Sequence, residues 1–199
     1  MTRVITIARE YGSGATSIAG ILADRLGWRV LDHEVVAQVL EAARFVSNGP
    51  AEWQGDLWFR KLVQEVTWNG GIQRLAEGDE FSVRTRVIEE AARMGDCLII
   101  GRGAQCILRG YHEVFHVFLQ APLRLRVERT AHQFRDRGEL ELTINERDTE
   151  QAEFVRDYFC QDWRDPRLYD LMIDTRHGFR AAAEAIFAAA GLRPSSLNY

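Results

Sequence analysis

Apolar and polar positions along the chain switch between the period of a strand and the period of a helix. Residues 3–8 (RVITIA) form a short β-branched run, as a buried parallel strand does. A small-residue loop, YGSGATS, follows. Ile18, Ile21, Leu22 and Leu26 then fall at helical spacing, with Gly27 as the stop. WRVL at 28–31 predicts a second strand and 33–44 a second helix. A helix over 80–94 leads into DCLIIGRG, whose apolar centre reads as a third strand. EVFHVFL at 113–119 is a fourth, ended by Ala121-Pro122. Arginine-rich helices are expected over 122–135 and 139–160, a last strand in YDLMIDT at 169–175, and a helix over 178–190 before Gly191. This alternation predicts an α/β fold, a parallel sheet covered by helices on both faces. In such sheets ligands sit beyond the carboxyl ends of the strands.

Residues 45–79 break the pattern. SNGP at 47–50 and NGG at 69–71 are breakers, and a helix-like stretch with Trp53, Trp58, Phe59 and Trp68 lies between them. This predicts an inserted helical lobe whose aromatics form a local core.

Composition narrows the class. The 199 residues suit one domain, 1–199, carrying that lobe. With 46% apolar and 27% charged residues the chain reads as soluble and globular. No apolar run approaches the roughly 20 residues of a membrane span, so no membrane is expected. The start, MTRVITIAREYG, lacks the apolar centre of a secretory signal. A net charge of −4 argues against a nucleic-acid partner. Cys97, Cys106 and Cys160 are odd in number and scattered, which suggests a reducing, cytoplasmic setting without a disulfide framework.

The basic residues are lopsided. Lys and Arg together number 25, and Lys61 is the one lysine, leaving 24 arginines. Coding bias is the plain explanation, but any chemistry that needs a lysine has a single candidate, inside the helix-like RKLVQEV.

The loop after the first strand carries the chemistry. A glycine-rich turn between strand and helix aims backbone N–H groups at one anion, and the helix N-terminus adds a favourable field. Gly12 and Gly14 permit close approach, and Thr16 and Ser17 supply hydroxyls for a cap or for Mg²⁺. The strict phosphate-loop pattern G-x-x-x-x-G-K-[ST] is incomplete. Arg9 stands at its first glycine, Gly14 at its second, Ala15 at its lysine and Thr16 at its Ser/Thr. The residues alone leave two readings open, a phosphate site or a tight βα turn with a cap.

Other motifs carry less. His112-Glu113-Val114-Phe115-His116 is a literal H-E-x-x-H, but in a strand its histidines stand roughly 13 Å apart, too far for one zinc ion. His33 reads as a solvated helix-start residue beside Asp32, and Asp165-Pro166 as a turn. The run Arg124, Arg126, Arg129, Arg135 and Arg137 is either a solvated face or an anion site.

Four segments in order, ITIAREYGSGATSIAGILADRLGWRVLD, LIIGRGAQCIL, FHVFLQAPLRLRVER and DYFCQDWRDPRLYDLMIDT, resemble the cytidylate-kinase-like family of P-loop proteins. The resemblance covers most of the chain and is weakest over 45–79. It implies a three-layer fold with a five-stranded parallel sheet, a helical substrate lobe at 45–79 and a lid at about 130–150. It implies phosphoryl transfer from ATP to a nucleoside monophosphate, CMP or dCMP, with Mg²⁺, and it allows a homodimer.

By that resemblance Gly12, Ser13, Gly14, Ala15, Thr16 and Ser17 cradle the donor phosphates, with Thr16 near the metal. Asp32 acts near metal or acceptor, Arg102 faces the acceptor phosphate, and Arg126 and Arg129 open the lid. Arg147 and Asp148 form its returning substrate-binding pair. Arg9, beside the loop, is either the natural stand-in for the missing lysine or a structural ion-pair partner of Glu10 or a lid carboxylate, and it joins Asp32, Arg102 and Arg129 as catalytic candidates. The chain departs from well-characterised cytidylate kinases at Ala15, at Ile100 and Gly103 around the Gly-Arg pair, and at Gln38 and Gln151. Two rival readings use the same fold: a nucleotide-binding or regulatory protein with weak turnover, and a kinase for another small molecule.

Overall fold

The structure, a computed structural model, describes residues 1–46, 56–68, 79–101, 103–131 and 137–193. They fall into two compact units, residues 1–30 with 96–199, and residues 31–95.

The first unit is built on the strands β1 (Val4–Arg9), β3 (Cys97–Ile100), β4 (Val114–Gln120) and β5 (Leu171–Asp174), with β2 (Arg29–Leu31) at one edge. The order across the sheet is β2-β3-β1-β4-β5. β1 runs parallel to both β3 and β4, and β4 runs parallel to β5. The five-stranded α/β sheet is the one the alternation of periods predicted. β1 pairs Ile7 with Ile100 on one side and with Val117 on the other, which places it at the centre.

Successive side chains of these strands point to opposite faces. Ile5, Ile7, Leu98, Ile100, Val117 and Leu119 enter one core layer, which α1 (Ala15–Leu26) and α8 (Phe179–Ala189) cover. Ala8 and Phe118 face the other way, onto Val155 and Trp163. Helix α1 shows why it forms. It buries Ala15, Ile18, Ala19, Leu22 and Leu26 at helical spacing and ends on Gly27, whose left-handed backbone lets its N–H reach the Ala23 carbonyl. The remaining helices of this unit are α5 (Ala104–Ile107), α6 (Leu123–Thr130) and α7 (Arg137–Phe159).

Two boundaries moved inward. The last strand, expected over 169–175, spans Leu171–Asp174, because Tyr169 closes a 3₁₀ turn at Pro166–Leu168 and Thr175 opens another at Thr175–His177. The helix expected over 122–135 stops at Thr130, and residues 132–136 of the expected lid lie outside the described residues.

The second unit holds α2 (His33–Val46), α3 (Leu57–Val66) and α4 (Glu80–Met94). It is wider than the lobe expected at 45–79, since α2 and α4 pack with α3 and with each other. Val39, Leu62, Val66, Val87 and Ile88 are fully enclosed. Asp56 caps α3 by accepting the Phe59 N–H at 2.9 Å, and Asp79 caps α4 by accepting the Ser82 N–H at 3.1 Å. The breakers SNGP and NGG and Trp53 lie outside the described residues. Among the described residues no helix is long and apolar enough to cross a membrane.

Candidate functional site

β1 delivers the chain to a turn that few residues other than glycine permit. Gly12 and Gly14 adopt φ of 80° and 94°, in the left-handed region. A Cβ on Gly12 would lie 2.9 Å from the Arg126 carbonyl oxygen, and one on Gly14 would overlap the Phe179 ring. The Gly14 carbonyl accepts the Ile18 N–H at 3.0 Å and so starts α1, with no side chain capping the helix. The N–H groups of Gly14, Ala15, Thr16 and Ser17 have no acceptor among the described residues. Four successive donors at an uncapped helix N-terminus offer the hydrogen bonds and the field that suit an anion. Thr16 and Ser17 are exposed there, while Ala15, at the lysine position, is buried in the core layer with Ile18 and Ala19.

Two sets of contacts hold this loop. In the first, Arg126, nearly enclosed on α6, donates to the Asp148 carboxylate at 2.6 Å and to the Tyr11 carbonyl at 3.3 Å. The other Asp148 oxygen accepts the Tyr11 N–H at 2.7 Å. Glu10 extends the chain of charge. It lies 3.6 Å from Arg126 and accepts the Arg164 guanidinium at 3.0 Å and the Ala121 N–H at 3.1 Å. Buried charges need such pairing, because an isolated one loses its hydration.

In the second set, Arg129 donates to the Thr175 hydroxyl and carbonyl, each at 2.8 Å, and to the Ser13 carbonyl at 3.3 Å. The Thr175 hydroxyl donates to the same Ser13 carbonyl at 2.7 Å. The Arg129 guanidinium sits 4.7 Å from the centre of the Phe179 ring, the ring that lies against Gly14. Burial lowers the Arg129 pKa, and the nearby Asp174 opposes that shift.

The residues singled out in the sequence land as follows. Arg9, at the end of β1, lays its guanidinium so close to Gly101 that a Cβ there would overlap it. Arg102 lies outside the described residues. Arg126, Arg129 and Asp148 come together at the loop, where they bond its backbone or one another. Arg147 is exposed on α7 and pairs with Glu150 at 3.0 Å. Asp32 belongs to the unit 31–95, where one carboxylate oxygen caps α2 through the Glu34 and Val35 N–H groups, both at 3.0 Å. His33 is exposed at the first turn of α2, and Lys61 is exposed on α3.

The H-E-x-x-H segment runs into β4, as its strand-like pattern predicted. His116 contacts the Thr6 hydroxyl at 2.7 Å, and its backbone N–H bonds Asp170. Two departures around the Gly-Arg pair have steric causes. Ile100 is core, and Gly103 holds φ of 69° with the Phe159 ring 2.6 Å from where a Cβ would stand.

Sequence reasoning missed Thr175, Phe179 and the role of Glu10. Thr175 had a usable signal, since it directly follows the last parallel strand, where ligand sites gather. Phe179 had none.

Residues 4–177 match the model of the cytidylate kinase-like family. A cytidylate kinase of Methanopyrus kandleri is 31% identical over 86% of this chain and 84% of its own length. One of Natronomonas pharaonis is 29% identical over 92% and 88%. One of Shewanella sediminis is 34% identical over 42% of this chain, a match that spans 38% of that relative. Among solved structures, a protein of Eubacterium ventriosum described as uncharacterized superposes with a TM-score of 0.74 at 18% identity, over 96% of this chain and all of that one. A shikimate kinase of Bacteroides thetaiotaomicron does so with 0.54 at 15% identity, over 96% and 99%.

Proposed function

The chain belongs to the cytidylate kinase-like family, and from that premise we propose that it transfers the terminal phosphoryl group of ATP to a nucleoside monophosphate, CMP or dCMP. The observation that carries the reading is the row of four N–H donors at Gly14, Ala15, Thr16 and Ser17. Phosphoryl transfer asks the protein for positioning and for neutralisation of charge, and needs no covalent intermediate.

In this reading the loop binds the donor phosphates through its backbone. The exposed Thr16 hydroxyl is a hard oxygen donor at the head of α1, which fits Mg²⁺. The metal ion, when bound with the nucleotide, offsets negative charge on the phosphate oxygens. Ala15 contributes no charge, so the arginines must. Arg9, against the Gly101 turn, supplies the cation that the loop lacks, and the resemblance gives Arg102 the acceptor phosphate. Asp32 and Arg147 remain candidates for the acceptor side, and the relatives' printed names favour cytidylate there. Asp148 and Arg126 shape the loop through Tyr11.

A second reading, a nucleotide-binding protein with weak turnover, draws on one observation, the burial of Ala15 at the lysine position. A closed site without its charged donor forgoes about 3 kcal/mol of transition-state stabilisation. A phosphoryl-transfer screen with ATP and Mg²⁺ against the common nucleoside monophosphates and nucleosides separates the two. Transfer to CMP or dCMP is expected. ATP binding without transfer to any acceptor favours the second reading, and absence of ATP binding overturns both.

A further inference from the structure

We propose that Thr175 is a positioning residue for nucleotide phosphate, aiming the Gly14 N–H through the Ser13 carbonyl. This rests on the nucleotide-binding reading above and assigns work within it to a residue outside the loop.

Thr175 is fully enclosed. Its hydroxyl accepts from the Arg129 guanidinium at 2.8 Å and donates to the Ser13 carbonyl at 2.7 Å. Arg129 reaches that carbonyl directly at 3.3 Å. The Ser13 side chain does not share this task, since its own hydroxyl is buried without a partner among the described residues. The loop is therefore held at residue 13 by its carbonyl.

That choice has a geometric consequence. The Ser13–Gly14 peptide is planar and trans, so its C=O and N–H point in opposite directions. Two donors that pin the carbonyl on one side turn the Gly14 N–H to the other. The Gly14 N–H has no acceptor among the described residues, and it is the first of the four donors. The Ser13 N–H is excluded from that row, because it bonds back to the Glu10 carbonyl at 3.2 Å.

The same hydrogen bonds polarise the peptide. A carbonyl that accepts from a cation and from a hydroxyl bonded to that cation makes its partner N–H a stronger donor. Arg129 thus strengthens a donor on the phosphate side through the backbone, at a loop whose residue 15 is alanine. Phe179, beneath the Arg129 guanidinium and against Gly14, closes the arrangement on the same turn of chain.

The test uses the full chain and two variants, Thr175→Val, which keeps the shape and loses the hydroxyl, and Thr175→Ser, which keeps the hydroxyl. ATP and inorganic tripolyphosphate, each with Mg²⁺, are titrated while affinity and the Gly14 amide ¹H–¹⁵N resonance are followed. The wild type is expected to bind both with a displaced Gly14 resonance. Thr175→Val is expected to bind about tenfold more weakly and without that displacement, and Thr175→Ser to restore both.

Wild-type affinity in Thr175→Val, or tenfold weaker binding by a folded Thr175→Ser, overturns the proposal and leaves the nucleotide reading standing. If Thr175→Val does not fold, a wild-type Gly14 resonance that stays still on binding overturns it equally. A wild type that binds neither probe removes the nucleotide reading and this proposal together.

Discussion

The Asp148 carboxylate takes the Arg126 guanidinium on one oxygen at 2.6 Å and the Tyr11 backbone N–H on the other at 2.7 Å. A residue on α7 and one on α6 thereby close on the backbone of the glycine-rich loop. The pair is nearly enclosed, and Arg126 also faces Glu10. Removing the cation leaves the nearly enclosed Asp148 carboxylate with the Tyr11 N–H and no counter-charge there, while Glu10 keeps Arg164. Arg126→Met is therefore expected to cost about 3 kcal/mol in denaturant unfolding. In a double-mutant cycle with Asp148→Asn the combined destabilisation should fall well below the sum of the single ones. Additive effects would mean that the pair is not coupled in solution.

His116 gives the fold a dependence on pH. Burial lowers its pKa from the usual 6.5, with Asp170 opposing the shift, and Thr6 holds its ring. A histidine with a lowered folded pKa binds more protons unfolded than folded. Its contribution is intact above the unfolded value and is lost as pH falls through 6.5 towards the folded pKa. Stability should therefore rise with pH on approaching neutrality, and His116→Gln should flatten that part of the profile. A slope unchanged by the substitution would assign the dependence to other groups.

Gly103 stands where the resemblance leads one to expect an aspartate, and its surroundings account for a glycine there. With φ of 69° and the Phe159 and Phe154 rings against it, the position has no room for a Cβ. Gly103→Asp is expected to cost about 1–3 kcal/mol. Adding Phe159→Ala should relieve the clash, so that the double variant is destabilised by less than the two single changes together. Thermal unfolding of the three variants measures this, and a Gly103→Asp protein as stable as the wild type would contradict it.

The sheet was legible because buried parallel strands and amphipathic helices write different periods into the chain, and VITIAR, CLII and VFHVFLQ kept theirs. The loop was legible because Gly12 and Gly14 mark backbone that few other residues adopt. What stayed hidden was the support. Thr175 lies 162 residues from Ser13 and Asp148 137 from Tyr11, so no local spacing joins them. The resemblance put Arg126 at the start of the lid and Asp148 in its returning pair, and only packing joins the two. Ala15 shows the limit from the other side. Sequence marks the missing lysine, and the structure adds that the position faces the core.

The proposed transfer needs a cation near the loop, and Arg9 is the arginine we propose for it. Ala15 is apolar and buried, so the lysine position supplies no cation to the loop. Arg126 is committed to Asp148, and Arg129 to the Ser13 and Thr175 carbonyls. Arg9 ends β1 at the carboxyl edge of the sheet and reaches the Gly101 turn, where phosphate is expected. Arg9→Ala is therefore expected to lower kcat about tenfold or more with Tm nearly unchanged. Arg9→Lys, which returns a point charge without the planar fork, should recover part of the rate. An Arg9→Ala enzyme with undiminished turnover would remove Arg9 from the mechanism.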